Sequence, residues 1–255
     1  MDRYTRHSVL PWFGSAGQEK LRKSSVLLVG CGGLGCVCSS FIARAGVRRL
    51  RIVDPDVVSL TDLHRQLLYI EDDIDRNRLK PVVAAERLTA ANQETEVEPK
   101  PVEFNARSAV DLIDGIDLLI DCTDNFQTRM LINDVCLKYS KPWIHGACVG
   151  TSGIVIPFPG GETACYRCIV KHIPDPGSAP VSEEIGILGP VAGVAGCLEA
   201  AEAIKLLVDP ERVRQRIIYY ESVSYTYECL EARRKADCPA CVGRNYEFLT
   251  GPPGC

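Results

Sequence analysis

Only 2 methionines, 2 tryptophans and 4 histidines occur among the 255 residues, and aromatic side chains make up 7% of the chain. Neither sign of charge dominates, since 29 Lys and Arg stand against 33 Asp and Glu, a formal net charge of −4. This slightly acidic balance argues against a nucleic-acid binder that works by charge alone, which needs a basic face. No uninterrupted apolar run approaches the ~18–20 residues that span a bilayer. The N-terminal stretch MDRYTRHSVLPWFG is polar and lacks the apolar centre of a signal peptide. A cytoplasmic protein with no membrane contact is expected. Internal repeats and low-complexity tracts are also missing, which excludes solenoids and disordered arrays.

What is present is a globular composition, 46% hydrophobic and 24% charged, with 13 cysteines. A chain of this length can bury ~75% of the surface that it exposes when unfolded. It makes one large domain or two closely joined halves, here 1–150 and 151–255 read as one continuous unit. In a reducing compartment the cysteines serve as metal ligands, catalysts or core residues in preference to disulfides.

Ser25–Gly30 reads as an apolar strand that runs into a glycine-rich turn. Leu34–Ala45 has no breaker before Gly46 and reads as a helix, and Leu50–Val53 as a second strand ending on Asp54. Strand, turn, helix and strand in so few residues form a βαβ unit and imply a parallel sheet. Val82–Asn92 is a further helix, Gly115–Asp121 a buried strand, 126–139 a helix and Trp143–Ala147 the next strand. After 150 the pattern changes: Gly153–Phe158 and Ile217–Tyr227 read as strands of a mixed or antiparallel sheet. Val191–Val208 is a long helix that begins with small residues. Pro174–Glu184, extended to 186, reads as a mobile surface loop, and Pro252–Cys255 as a frayed tail.

Gly30, Gly32 and Gly35 fit G-x-G-x-x-G between strand and helix, where bare backbone and a helix N-terminus meet a phosphate. Asp54 closes the following strand 54 − 30 = 24 residues on, where an acid reaches a ribose hydroxyl. The turn specifies a nucleotide and leaves NAD, FAD and ATP open. Charged residues further along favour ATP: Asp56, the run Thr61–Gln66, Lys80 and the stretch Asp121–Asn125. Asp124 stands just past the carboxyl end of a buried strand, the edge at which parallel sheets bind ligands. A carboxylate there, with Arg65 and Lys80 nearby, suits a magnesium-bound triphosphate.

Cys165-Tyr-Arg-Cys168 and Cys238-Pro-Ala-Cys241 are two C-x-x-C pairs, which together supply the four thiolates of a tetrahedral zinc site. The intervening 238 − 168 − 1 = 69 residues are too many for a zinc ribbon, so the metal would clamp the chain end to the start of the second half. A redox C-x-x-C is the rival reading, yet neither pair follows a βαβ strand. Coincidental core cysteines are the third. Cys31, Cys36 and Cys38 flank the glycine turn, where a helix N-terminus could lower a thiol pKa, and read as packing residues. Cys122, Cys148 and Cys197 also read as core.

With these motifs in view, the chain resembles the ThiF/MoeB family, bacterial relatives of ubiquitin-activating enzymes, over nearly its whole length. The resemblance rests on RYTRHSVLPWFG, GCGGLG, VDPDVV, TDLHRQLLY, the Lys80-Pro81 pair, DCTDN, CYRC, ILGPVAGVAGCLEAAEAIKLL and CPAC. It implies a doubly wound, Rossmann-like adenylation fold, with a sheet added in the second half that holds a ubiquitin-like protein. The implied activity is ATP-dependent adenylation of the C-terminal glycine of a small sulfur carrier ending in Gly-Gly, with a sulfur donor protein downstream.

Residue by residue, the resemblance puts Gly33 at the phosphates and Asp54 on the ribose. It gives Arg65 and Lys80 to the phosphates and Asp124 to Mg2+. Gly30, Gly32, Gly35, Asp56, Thr61, Asp62, Leu63, His64, Gln66 and Asn125 complete the implied nucleotide site. Arg6 matches an arginine that reaches the neighbouring subunit's site, which implies a homodimer, and Zn2+ is implied at the four cysteines. His64 and Asp62 replace two asparagines of the family pattern, and His64 is a weak candidate for a general base. His145 and His172 have no assigned role. The family's reactive loop cysteine is replaced by Ser182, whose hydroxyl cannot form a disulfide, so the chemistry is expected to stop at the acyl-adenylate. A relative acting on a peptide C-terminus or a tRNA base, and a NAD-dependent oxidoreductase, are the other readings.

Overall fold

The computed structural model describes residues 2–170, 173 and 182–251. Strands Ser25–Val29 (β1), Arg49–Val53 (β2), Glu96–Lys100 (β3), Leu118–Asp121 (β4), Trp143–Val149 (β5), Ser152–Phe158 (β6), Arg216–Glu221 (β7) and Thr226–Glu231 (β8) make one sheet. Its order is β3-β2-β1-β4-β5-β6-β7-β8. The first five strands run parallel and the rest pair antiparallel, so β5 has one parallel and one antiparallel neighbour.

β1 is buried along its whole length and sends alternate side chains to opposite faces. Val26 and Leu28 enter one apolar core, Leu27 and Val29 the other. Helices Gly33–Ala45, Lys80–Ala91 and Gly189–Val208 cover the first core, and Ala109–Ile113 and Phe126–Lys138 the second. Both faces are thus wound with helices. Each fully buried Leu or Ile in these layers contributes ~1.5–3 kcal/mol of burial free energy. The small residues that open the long helix allow close packing on Gly33–Ala45: a Cβ at Gly196 would lie 2.5 Å from the Leu34 carbonyl oxygen. Gly46 ends Gly33–Ala45 in the left-handed conformation at φ 83°.

Several boundaries differ from expectation for identifiable reasons. Ile217–Tyr227 is not one strand, because Ser222–Tyr225 turn the chain and make the β7–β8 hairpin, with Tyr225 at φ 56°. β3 was not expected, since its EVEPK sequence is charged and contains proline. It lies at the sheet edge, where both are tolerated, and Glu98 pairs there with Arg51 at 2.7 Å and Arg49 at 3.5 Å. Two helices start before their prolines, since Pro81 and Pro190 occupy the first turn, where no N–H is needed.

The added strands continue the parallel sheet, and residue 150 lies in the turn between β5 and β6. Of the expected mobile segment, 174–181 lie outside the described residues, as do His172 and the tail 252–255. Ser182–Ile185 form a helical turn, after which the Gly186 carbonyl accepts from the Gly150 N–H at 2.9 Å. Among the described residues no helix is long and apolar enough to cross a membrane.

Candidate active site

The glycine turn sits at the carboxyl end of β1, against the carboxyl end of β4. Gly30 has φ 89°, and a Cβ on it would lie 2.7 Å from the Cys122 carbonyl oxygen. Only glycine combines that backbone angle with that approach. The Asp54 carboxylate fastens the turn from β2, accepting from the Cys31 N–H at 2.7 Å and the Asp56 N–H at 2.9 Å. Burial raises its pKa, and those two N–H groups work against the rise.

The segment after β2 brings the cations to the turn. The Arg65 side chain lies beside Gly33, 3.5 Å from where its Cβ would be, and Gln66 Nε2 is 3.7 Å from the same point on Gly32. Asp62, buried, is the hub of this segment. It accepts from Gln66 Nε2 at 2.6 Å, the Ser59 N–H at 3.0 Å and Arg65 at 3.4 Å. Lys80 Nζ lies 3.1 Å from Asp56 and 3.5 Å from Asp62. Burial opposes the Lys80 charge, but Asp54, Asp56 and Asp62 outweigh it and hold the pKa above the usual lysine value. Gln66 Oε1 is buried with no hydrogen-bond partner among the described residues. The N-terminus of the long helix closes this wall. Ala192 lies 3.0 Å from a Cβ on Gly33, and the His64 carbonyl oxygen 2.8 Å from one on Gly189.

Thr61 and His64 are exposed, and Leu63 is half-buried. No hydrogen bond of the His64 ring is found among the described residues, so the general-base reading gains no support. Asp124 and Asn125 are exposed just past β4, and Asn125 caps the next helix by accepting from the Thr128 N–H at 2.8 Å. Arg6 is exposed on the short helix Thr5–Ser8, without an ion pair among the described residues. The structure therefore gathers Gly30, Gly32, Gly33, Gly35, Asp54, Asp56, Asp62, Arg65, Gln66 and Lys80. It places Asp124 two residues past Cys122, and leaves Arg6 apart from this group.

Beneath the site lies a polar layer that the sequence did not reveal. Asp121, fully buried, accepts from His145 Nδ1 at 2.8 Å and from the Thr123 hydroxyl at 2.6 Å. Burial lowers the His145 pKa, against the pull of Asp121, and in a neutral ring it is Nδ1 that must carry the proton to bond a carboxylate. Glu199, also fully buried, accepts from the Cys122 thiol at 3.4 Å, and burial drives its pKa well up. Nothing short of the tertiary pairing marks these residues, because partners 24 and 77 positions apart leave no local pattern.

The four C-x-x-C cysteines meet. Cys165–Cys238 sulfurs are 3.5 Å apart, Cys168–Cys241 3.6 Å and Cys165–Cys168 3.9 Å. All four sulfurs lie within 4.8 Å of one another and could hold a metal ion. Burial would raise the Cys238 thiol, but the N–H groups of Cys241 and Ala240 outweigh it and hold the thiol below its ordinary pKa. The cysteines around the glycine turn are buried and Cys38 and Cys122 are raised by that burial, the behaviour of packing residues. Cys197 corrects expectation: it is exposed, because it occupies the open side of a helix whose covered side carries Gly196, Glu199 and Ala200.

Fold and site together define a Rossmann-like α/β protein of the adenylyltransferase class. The ThiF family model matches residues 4–240, and the chain belongs to the ThiF family. It is 36% identical over 245 residues to the SAMP-activating enzyme E1 of Haloferax volcanii, covering 94% of this chain and 88% of that protein. It is 37% identical over 247 residues to the sulfur carrier protein adenylyltransferase of Thermus thermophilus, covering 94% and 90%. Among solved structures, E. coli MccB with MccA-N7isoASN has the same fold, with a TM-score of 0.80 at 24% identity over 94% of this chain and 75% of that one.

Proposed function

We propose that this protein adenylates the C-terminal glycine of a small ubiquitin-like sulfur carrier ending in Gly-Gly. The observation that carries the reading is the meeting of the glycine turn, Arg65 and Lys80 at the carboxyl ends of the central strands, walled by the start of the long helix. Bare backbone N–H groups and two helix N-termini attract anionic phosphate there. The Thermus relative, by its name, supports a sulfur carrier as substrate. Residues 1–150 supply the nucleotide half and 151–255 the carrier half.

In the reaction a carboxylate oxygen of the carrier bonds to the α-phosphorus of ATP while the bond to the β-phosphate oxygen breaks, releasing pyrophosphate. Arg65 offers a fork of donors and Lys80 a compact charge, and both offset negative charge as it shifts onto the leaving phosphates. Asp54 orients the ribose. Asp124 suits Mg2+, since an exposed carboxylate beside phosphates is the hard-oxygen ligand that this ion takes while keeping waters. Magnesium, when bound, neutralises phosphate charge. Arg6 completes the site of a partner subunit in a homodimer. Four thiols within 4.8 Å fit Zn2+ with a closed shell, a structural role with no open position for substrate.

Carrier-dependent ATP–pyrophosphate exchange tests the reading. Asp124→Ala should lose at least ~100-fold of that exchange with the fold intact, and wild-type exchange by this variant sinks the assignment. With Ser182 at the loop position, no reducible covalent adduct should form with the carrier. Trapping one on a non-reducing gel, cleaved by thiol, would show that another cysteine has taken the role.

A further inference from the structure

We infer that His145 is a positioning residue for this reaction, fixing through Asp121 the turn that carries Asp124. The inference rests on the adenylation reading above. Asp121 is the last residue of β4 and stands in register with His145 on β5. Its carboxylate is fully buried and takes three bonds: His145 Nδ1 at 2.8 Å, the Thr123 N–H at 3.0 Å and the Thr123 hydroxyl at 2.6 Å. Two of these donors belong to the turn. Among the described residues, His145 is the partner from outside it, so it decides which way the carboxylate faces.

A buried carboxylate keeps its charge only while donors surround it. Without the His145 N–H, the Asp121 carboxylate loses the donor that orients it from outside the turn and can rotate, which loosens its grip on Thr123. Asp124 is the next residue. The His145 ring is itself held: Tyr166 meets it edge-on at 4.9 Å and 65°, and Trp143 at 6.2 Å. Tyr166 lies between Cys165 and Cys168, and its N–H donates to Asn133 Oδ1 at 2.8 Å. The Arg129 guanidinium also donates to the Thr123 carbonyl at 2.6 Å. The turn is therefore held at two points, through Asp121, which His145 orients, and through Arg129. Misplacing a group at a reacting centre by ~1 Å can cost ~100-fold in rate.

The test compares His145→Leu, which keeps bulk and removes the N–H, with His145→Asn, whose amide N–H stands close to where Nδ1 was. Thr123→Ala removes the hydroxyl bond from the half-exposed end of the same network. Exchange is measured against Mg2+ and ATP concentration, with metal content and thermal unfolding followed alongside and Asp124→Ala as reference. His145→Leu and Thr123→Ala should raise the Mg2+ half-saturation about tenfold and lower kcat about tenfold, with the KM for ATP within about threefold. His145→Asn should restore both to within about threefold of wild type. Wild-type Mg2+ dependence in a folded His145→Leu, or an Asn variant as impaired as Leu, overturns the positioning role. If the Leu variant does not fold, Thr123→Ala decides by the same criterion. An active Asp124→Ala overturns the adenylation reading instead, so the two failures are distinct.

Discussion

Gly30 carries two constraints in one residue, a left-handed backbone and contact with the Cys122 carbonyl from the neighbouring strand. Gly30→Ala puts a methyl 2.7 Å from that oxygen at φ 89°, and the strain alone costs on the order of 1–3 kcal/mol. Melting temperature should fall accordingly, and exchange should fall with it because the turn is also the phosphate cradle. An alanine variant with unchanged melting would show that the turn can relax. At this scale the glycines, Asp54, Arg65 and Lys80 were legible because their types and spacing are local to one βαβ unit. Asp62 was legible as a member of the site but not as its hub, since Ser59, Arg65, Gln66 and Lys80 converge on it only once the segment folds. His145, Asp121 and Glu199 were not legible as partners. A buried acid looks the same in sequence as a solvated one, and Cys197 looked like a core residue because one helix turn does not say which side is covered.

Helices were read well where a stop residue such as Gly46 marks the end, and strands where an apolar run is continuous, as in β1 and β4. The β7–β8 hairpin was merged into one strand because its turn, Ser222–Tyr225, has neither glycine nor proline to announce it. β3 was missed because an edge strand need not be apolar. The helix Phe126–Lys138 makes a testable prediction of its own. Its Asp134 is fully buried and accepts from the Phe248 N–H at 3.0 Å, which ties the short helix Glu247–Thr250 to it. Burial pushes the Asp134 pKa up to about 6, against about 3.9 unfolded. The folded protein thus keeps a proton that the unfolded chain releases. Stability from this group is full below about pH 4, is lost as pH rises to about 6, and the loss is at most ~3 kcal/mol. Asp134→Asn keeps an acceptor and removes the titration. Its melting temperature relative to wild type should therefore rise between pH 4 and 7, and a gap that ignores pH would contradict the assignment.

Across the whole molecule, the parallel half and the antiparallel half share one sheet and join at β5. The fold class was legible, because the βαβ signature and the change of texture near 150 both survive in the structure. How the two halves join was not, since sheet continuity depends on edge pairing that no local pattern encodes. The four-cysteine centre should bind about one zinc per chain, measured by elemental analysis. Cys238→Ser should abolish that binding and lower the melting temperature by roughly 10 °C, if the lost cross-link is worth ~4 kcal/mol. A full-strength metal content in that variant would place the ion elsewhere.

That centre has one more effect, on the covalent topology of the chain. With a metal bound, the backbone from Cys168 to Cys238, 238 − 168 = 70 positions on, becomes a closed ring. Inside the ring lie the long helix that walls the candidate nucleotide site and the β7–β8 hairpin. A protease that cuts one peptide bond within it leaves two pieces that stay tied through the metal as well as through the sheet and core that they share. Such a nicked protein would stay one species in denaturant alone for as long as the metal holds, and separate into two when denaturant and chelator are combined.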